Sequence, residues 1–383
     1  MKKSLLLVLS PIALALAYLL LKPSPIDPVA WQAPEAPALE GPYARNEALK
    51  PVQRLLVGVG IGPEGLAIDA EGAVYTGYQD GRIVRLAADG SRYRELANTG
   101  GRPLGMVVDD DGSLIVADST RGLLRVATDG SIRELSRSAG GTAVGFADDT
   151  DRDRGSRLAW FSDASTKFPN PHYLWDLLEH RPHGRLIAHD LDSGISTERL
   201  GGLYFANGVT LGPDAAWVLV AETAAYRITR YWLKGDKAGT SEVFVDKLPG
   251  FPDNISFNGR DRIWVALPMP RDAVLDGLGQ WPSLRRMLAN LPAPMQALLS
   301  HQRAPQAFVL GFDLDGRLIA NLQYQGADAY APIMSVKEQG PWLYFGSLSA
   351  NAIARLPLRQ VIADAPAPPA GWEQAPSTPS LEP

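Results

Sequence analysis

"GPEGLAIDAEGAVYTGYQDGRIVRLAADG" at residues 62–90 and "RPLGMVVDDDGSLIVADSTRGLLRVATDG" at residues 102–130 are two copies of one unit. Each runs through an apolar strand, an Asp-Gly-type turn, a second strand, a polar Gly turn, a third strand and a closing Asp-Gly. The glycines Gly65 and Gly105 lie about forty residues apart, the usual length of a four-stranded propeller blade. The runs between turns, such as "AVYTGY", "RIVRLA", "LIVADS" and "LLRVAT", alternate or are rich in β-branched and aromatic residues. That is strand chemistry.

Weaker copies follow. "GFADDTDRDRGSRLAWFSDAS" leads to "GRLIAHDLDSG", and "YFANGVTLGPDAAWVLVAETAAYRITRYWL" is next. "GFPDNISFNGRDRIWVALP" pairs, across an insertion, with "AFVLGFDLDGRLIANL", and "APIMSVKEQGPWLYFGSLSANAIARLPL" comes last. Six units result. Radial repetition leaves no long free strand edge, so the chain is predicted to be an all-β, six-bladed β-propeller over residues 51–360. A β-sandwich, the competing architecture, does not repeat its sequence at this period.

The 383 residues carry a formal charge of −5 and no cysteine. A basic face for nucleic acid is not expected. Disulfides, thiolate zinc sites and cysteine nucleophiles are excluded. The frequent glycine (37) and proline (31) suit a turn-rich chain.

Met1, Lys2 and Lys3 precede an apolar run from Leu5 to Leu21, broken only by Ser10 and Pro11. The run is just long enough to cross a bilayer. A cleaved signal peptide is the rival reading, but the run continues past Ala13, Ala15 and Ala17 through Tyr18–Leu21. Residues 1–22 are therefore expected to be an N-terminal transmembrane helix. The lysine bias puts the propeller on the periplasmic or other extracytoplasmic side. The Pro-rich residues 23–50 read as an extended tether, and residues 361–383 as a mostly disordered Pro/Ala-rich tail.

Two stretches break the β pattern. "TKFPNPHYLWDLLEHRPHG" carries Phe168, Tyr173 and Trp175, and residues 271–305 show helical spacing in Leu284, Met287, Leu288 and Leu291, then Met295, Leu298 and Leu299. These helical insertions are expected to pack on the rim, to form a lid over the channel mouth, or to dip into the membrane beside the anchor.

The first strand of each blade lines the central channel, so polar residues at strand starts converge. Glu64, Asp148 and Asp149, Asn207, and Asp253 and Asn254 all sit there, beside apolar residues. One such residue alone would read as a turn former. Several together, oxygen donors without sulfur or histidine, suit a hard divalent cation such as Ca²⁺. The five histidines, His172, His180, His183, His189 and His301, cluster in or near the insertions and are expected to be solvent-exposed.

"GRPLGM", "FANGV", "VLVAET", "PGFPDNI" and "LYFGSL" together resemble the strictosidine synthase-like family, most closely its adipocyte plasma membrane-associated protein branch. The resemblance spans roughly residues 25 to 360. The wider superfamily holds the senescence marker protein/gluconolactonases and paraoxonases. It implies a six-bladed propeller with metal ligands at Glu64, Asn207, Asp253 and Asn254. Where the family usually has Asn, this chain has Asp148, an added carboxylate expected to tighten divalent-ion binding. The condensing glutamate of the strictosidine synthases has no match near Met334 and Ser335, although Glu338 is close. The paraoxonase-like histidine is replaced by the Arg102–Pro103 pair.

The expected activity is hydrolysis of lactones or aryl and other small esters. In that reading Glu64, Asp148, Asn207, Asp253 and Asn254 hold the cation, and Asp253 also activates water, as the resemblance to the gluconolactonases implies. No Gly-x-Ser-x-Gly elbow supports a serine mechanism. The alternatives are a non-catalytic binding scaffold pinned by metal and a strictosidine synthase-type condensing enzyme.

Overall fold

A computed structural model describes residues 18–292, 295, 304–374 and 376–382. Six four-stranded antiparallel sheets are arranged as blades, in the order expected from the repeats. The innermost strands are Leu66–Ile68, Pro103–Val108, Ala147–Asp153, Ala206–Leu211, Ile255–Phe257 and Ser335–Gln339. The ring is closed by an early strand: Gln53–Leu55 pairs antiparallel with Ile353–Pro357, so the sixth blade contains both ends of the propeller.

Strands in this fold are covered on both faces, which is why their sequences read as almost continuous apolar runs. Ile83 packs with Met106 and Leu114 toward the second blade, whereas its neighbour Val84 packs with Trp342 and Tyr344 toward the sixth. Ile115 and Phe161 join blades two and three, and Trp160 and Val218 join three and four. Leu219 and Phe308 join four and five, and Trp264 and Phe345 join five and six. Each neighbouring pair of blades thus shares one apolar cluster. A buried side chain of this size contributes roughly 1.5–3 kcal/mol of transfer free energy, so closure of all six interfaces drives the fold.

The two insertions interrupt blades three and five between their second and third strands. The first contributes the helix α1 (Tyr173–Glu179); the second contributes α2 (Ala273–Leu278) and α3 (Pro282–Asn290). Asp272 caps α2 by accepting from the Val274 and Leu275 amides, at 2.6 and 2.9 Å. Helices α1 and α3 touch, forming one cap over the channel end from which the innermost strands start. Leu298 and Leu299 lie outside the described residues.

The expected membrane span at residues 1–22 lies outside the described residues as far as residue 17. Among the described residues no helix is long and apolar enough to cross a membrane. The tether is extended, but it is docked. Ile26 is buried against Phe168 and Ala289, and the Asp27 amide donates to Glu179 at 2.7 Å. Trp31 stacks on His180 at 3.8 Å. The tail, expected to be disordered, is docked too. Trp372 packs edge-on against Trp342, and Ser380–Leu381 adds a parallel fifth strand to the first blade at Arg92–Tyr93.

Candidate metal centre

The innermost strands converge on the channel, and backbone irregularities aim the side chains there. The first hairpins of blades two, three and four each carry a bulge at the same place, between Pro103 and Met106, Ala147 and Thr150, and Ala206 and Val209. Bulges re-aim side chains and are over-represented beside active sites. Within these bulges lie Leu104, Asp148 and Asn207, each followed by a residue on a second tier.

The upper tier brings together Glu64, Asp148, Asn207 and Asp253, all buried. The Asn207 side chain lies beside the Asp253 carboxylate and favours its charged form, and the Asn254 backbone N–H donates to Asp253 Oδ1 at 3.0 Å. Asp253 is fixed further by its own amide, which donates to the Ala266 carbonyl at 3.0 Å. Arg102 enters from the turn before the second blade. It donates to Glu64 Oε2 at 2.9 Å and to the Gly62 carbonyl at 2.8 Å. It stands where the paraoxonase-like histidine is missing, and the sequence reading assigned it no role.

Three carboxylates therefore share a desolvated space with one guanidinium. Burial raises the Asp148 carboxyl well above its ordinary range, and Asp253, Glu64 and Asp149 push it further. Asp253 is likewise raised well above, by burial first and then by Glu64. Glu64 is raised by burial, which the Arg102 guanidinium partly offsets. The ionised tier carries two uncompensated negative charges, a high cost in such a place.

Asp148 Oδ1 and Asn207 Oδ1 are buried without a hydrogen-bond partner. Orphaned oxygens beside mutually repelling carboxylates, with no histidine or sulfur ligand among the described residues of the tier, fit a hard divalent cation. Among the described residues no three His, Cys, Asp or Glu side chains already stand together as ligands. The fit rests on a mixed set: Asp148, Asp253 and the Asn207 oxygen, with Glu64 shared with Arg102.

Asn254 lies on the lower tier. With Asp149, Ser335 and Lys337 it lines a small compartment between Gly65 and Gly105, and neither atom of its amide group has a partner. The glycines let the strands come this close. A Cβ on Gly65 would fall 1.7 Å from the Leu104 carbonyl oxygen, and one on Gly105 would fall 2.0 Å from Asp149 Oδ1.

Above the upper tier, Tyr173 on α1 faces the charged ring. Its hydroxyl is raised by burial and then by Glu64, Asp253 and Asp148. Tyr173 packs with Leu177 over Leu104, Phe146 and Phe205, so the mouth has apolar walls beside the Tyr173 phenol. Of the placements expected for the first insertion, on the rim, over the channel mouth or in the membrane, its helix α1 takes the one over the mouth. Arg285 of α3 locks the helix down by donating to the Leu178 carbonyl at 2.8 Å and the Glu179 carbonyl at 3.3 Å.

The expectation of exposed histidines holds for His172 and needs correction for His180, His183 and His189. His180 is buried between Trp31 and Tyr204, and burial pulls it down to about 3. His189 is buried on a blade strand against Ser196 at 2.9 Å, and His183 contacts Glu179 at 2.8 Å. His301 lies outside the described residues. Glu338 is held by Arg262 at 2.8 Å and by the Trp264 indole at 2.7 Å, a structural anchor between blades five and six.

The chain matches the family profile described as strictosidine synthase over residues 148–236, and that described as strictosidine synthase-like, N-terminal, over residues 41–86. It is 32% identical to the adipocyte plasma membrane-associated protein of Salmo salar over 358 residues, 88% of this chain and 85% of that one. The chain belongs to the strictosidine synthase-like family. Another relative is strictosidine synthase-like 7 of Arabidopsis thaliana, 34% identical over 201 residues and 52% of each chain. The match thus spans about half the length of that plant member of the family. Among solved structures, a gluconolactonase from Xanthomonas campestris aligns over 88% of this chain and 99% of its own, at 17% identity and a TM-score of 0.56. A calcium-binding regucalcin from Agrobacterium tumefaciens aligns over 79% and 92%, at 16% identity and a TM-score of 0.53. At these identities the likeness places the strictosidine synthase-like chain in the same fold.

Proposed function

We propose that this propeller is a divalent-cation-dependent hydrolase of lactones or small and aryl esters, with calcium as the cation. We also propose that its N-terminal apolar segment holds it at a membrane, on the extracytoplasmic side. The observation that carries the catalytic reading is the buried pair of unpartnered oxygens, Asp148 Oδ1 and Asn207 Oδ1, beside the Asp253 carboxylate. The gluconolactonase and calcium-binding likenesses agree with it. The membrane reading draws on the run from Leu5 to Leu21 and on the membrane-associated relative.

Asp148, Asn207, Asp253 and Glu64 would hold the cation. Bound there, it would supply Lewis-acid polarisation of the substrate carbonyl. The remaining work falls to the chain itself. The Asn254 amide and the Asn207 side chain orient the Asp253 carboxylate, whose oxygen takes the proton of the attacking water. Leu104, Phe146 and Phe205 exclude bulk water and receive an apolar acyl or aryl group. The Tyr173 hydroxyl is placed to donate to a substrate oxygen.

One observation favours the non-catalytic scaffold: the buried Arg102–Glu64 pair already joins the first two blades. Hydrolysis of a panel of lactones and aryl esters, after chelation and after calcium is restored, separates the two. Calcium-restored turnover that vanishes in Asp253→Ala supports the hydrolase. Calcium that raises the melting temperature without any turnover moves the assignment to a metal-pinned scaffold.

A further inference from the structure

Apolar side chains exposed on this molecule are not scattered. Of the sixteen large ones exposed among the described residues, ten belong to the N-terminal segment or the two insertions. They include Leu21 (83% exposed), Trp281 (62%), Leu174 and Leu275. Isolated exposed apolar residues are ordinary, but a contiguous set marks an interaction surface. One open groove joins the N-terminal segment to both insertions, bordered by Tyr18 and Leu19, by Leu174 and Trp175 of the first insertion, and by Leu291 and Met295 of the second; the exposed Leu275, Trp281 and Leu284 stand outside it, on α2 and the start of α3.

The end of the apolar run is fastened to this cap. Asn290 Nδ2, in the last turn of α3, donates to the Leu19 carbonyl at 2.9 Å and to the Lys22 carbonyl at 3.2 Å. Ile26, five residues after Leu21, is buried among Phe168 and Ala289. Asp27 is then clamped by Arg181 at 2.8 Å and by Arg286. Five residues reach at most about 18 Å even when fully extended. A segment leaving a bilayer at Leu21 therefore cannot let the propeller hang free in water. It holds the cap at headgroup depth, where the exposed Trp281 and Tyr18 are the side chains that favour the interface.

We propose that the cap, from Leu174 on the first insertion to Leu275, Trp281 and Leu284 on the second, is a bilayer-docking surface. It sets the channel mouth against the lipid rather than toward bulk water. This rests on the membrane anchoring proposed above. The occupant is the lipid surface and not a second copy, because the cap is continuous with, and bonded to, the end of the apolar segment.

The chain has no cysteine, so single probes can be placed cleanly. Full-length Leu275→Cys, Trp281→Cys, Leu20→Cys and Ser193→Cys would each carry an environment-sensitive fluorophore. Ser193 is an exposed turn residue on the opposite end of the third blade. The proteins would be reconstituted in phosphatidylcholine/phosphatidylglycerol vesicles, with and without brominated chains, after their melting temperatures are matched to the parent chain. The expected result is bromolipid quenching at positions 20, 275 and 281 at least threefold above that at 193. Quenching at position 20 with cap probes at the level of 193 overturns the docking surface and leaves anchoring intact. No quenching anywhere overturns anchoring as well. Cap probes shielded from aqueous iodide yet untouched by bromolipid mean that a second copy covers the cap, which also overturns the proposal.

Discussion

Asp148 and Asp149 are adjacent in the chain and opposite in circumstance. Asp149 accepts the Val209 and Thr150 amides, both at 2.9 Å, and its own amide donates to Ser162 Oγ at 3.0 Å. Burial pushes it up to about 7, with Lys337 pulling the other way. Asp148 Oδ1 has no partner, and its carboxyl is raised by burial and by three other carboxylates. The bulge in the innermost hairpin sends one to the upper tier and the other to the lower. Asp149 spends both its oxygens on joining strands, whereas Asp148 leaves one uncommitted. That contrast separates architecture from site more sharply than burial does, since both residues are equally hidden.

The contrast breaks first at Asp253. Asp253→Ala is expected to lower calcium-dependent turnover by about a thousandfold, within the range of a lost general base. It should also abolish the calcium-induced rise in melting temperature, since a cation that binds only the folded chain stabilises it. Steady-state kinetics and calorimetry with and without chelator check both, and a variant that keeps the calcium shift removes Asp253 from the ligand set. Next is the lower tier. Gly105→Ala sets a methyl group 2.5 Å from the Asp149 Cα, which is backbone that cannot rotate away. A loss of about 3 kcal/mol is expected by urea unfolding, from overpacking. A neutral substitution would show that the strands are not held this tightly at the axis.

The propeller was legible because its physics repeats. Every blade buries both faces and must turn at the same intervals, so apolar runs separated by polar, mostly glycine-bearing turns recur through all six copies. The upper tier was legible for a related reason: Asp148, Asn207 and Asp253 interrupt strands that would otherwise be plain apolar core. Arg102 was not legible as a member, because its role depends on reaching Glu64, 38 residues earlier, from a turn rather than a strand. The docked tether was hidden for the same reason, its partners on Glu179 and Arg181 lying more than 150 residues away. His180 needed Trp31 and Tyr204 to bury it. His189 could have been found, since it falls within the strand "GRLIAHD" directly after the apolar Leu186, Ile187 and Ala188.

The tiers are compared directly by two amide substitutions. Asp148→Asn removes a carboxyl whose folded value is raised above its unfolded one. Stability from such a group is full below the unfolded value and is lost as pH rises toward the folded one. Without cation at pH 8 the variant should therefore gain about 2 kcal/mol over the parent chain, while its calcium affinity falls about tenfold. Asp149→Asn should lose stability in either condition, because its new NH₂ group faces an amide N–H donor. Thermal melts in chelator and in calcium test this, and two variants that move together would erase the distinction between tiers.

The smallest effect sharpens the comparison from outside the channel. Asp176 on α1 is also buried; it accepts from Ser165 Oγ at 2.5 Å, while its Oδ1 has no partner. Burial pushes it up to about 7, a case of desolvation helped by Glu179 and opposed by the Ser165 bond and Lys167. The sign follows as for Asp148: its contribution is intact near pH 4 and is lost as pH rises through about 7. Asp176→Asn keeps an oxygen for Ser165 and removes the titration. The variant should melt with the parent chain near pH 4 and gain about 1 kcal/mol by pH 8. The gain at Asp176 should persist in calcium, whereas the gain at Asp148 should disappear there. Asp176 is raised by burial and by Glu179, outside the upper tier, and is indifferent to the cation; the part of the Asp148 shift that comes from Asp253 and Glu64 is relieved by it. Equal calcium sensitivity at the two positions would mean that the charge of the upper tier reaches the cap, and that the lid and the ring titrate as one unit.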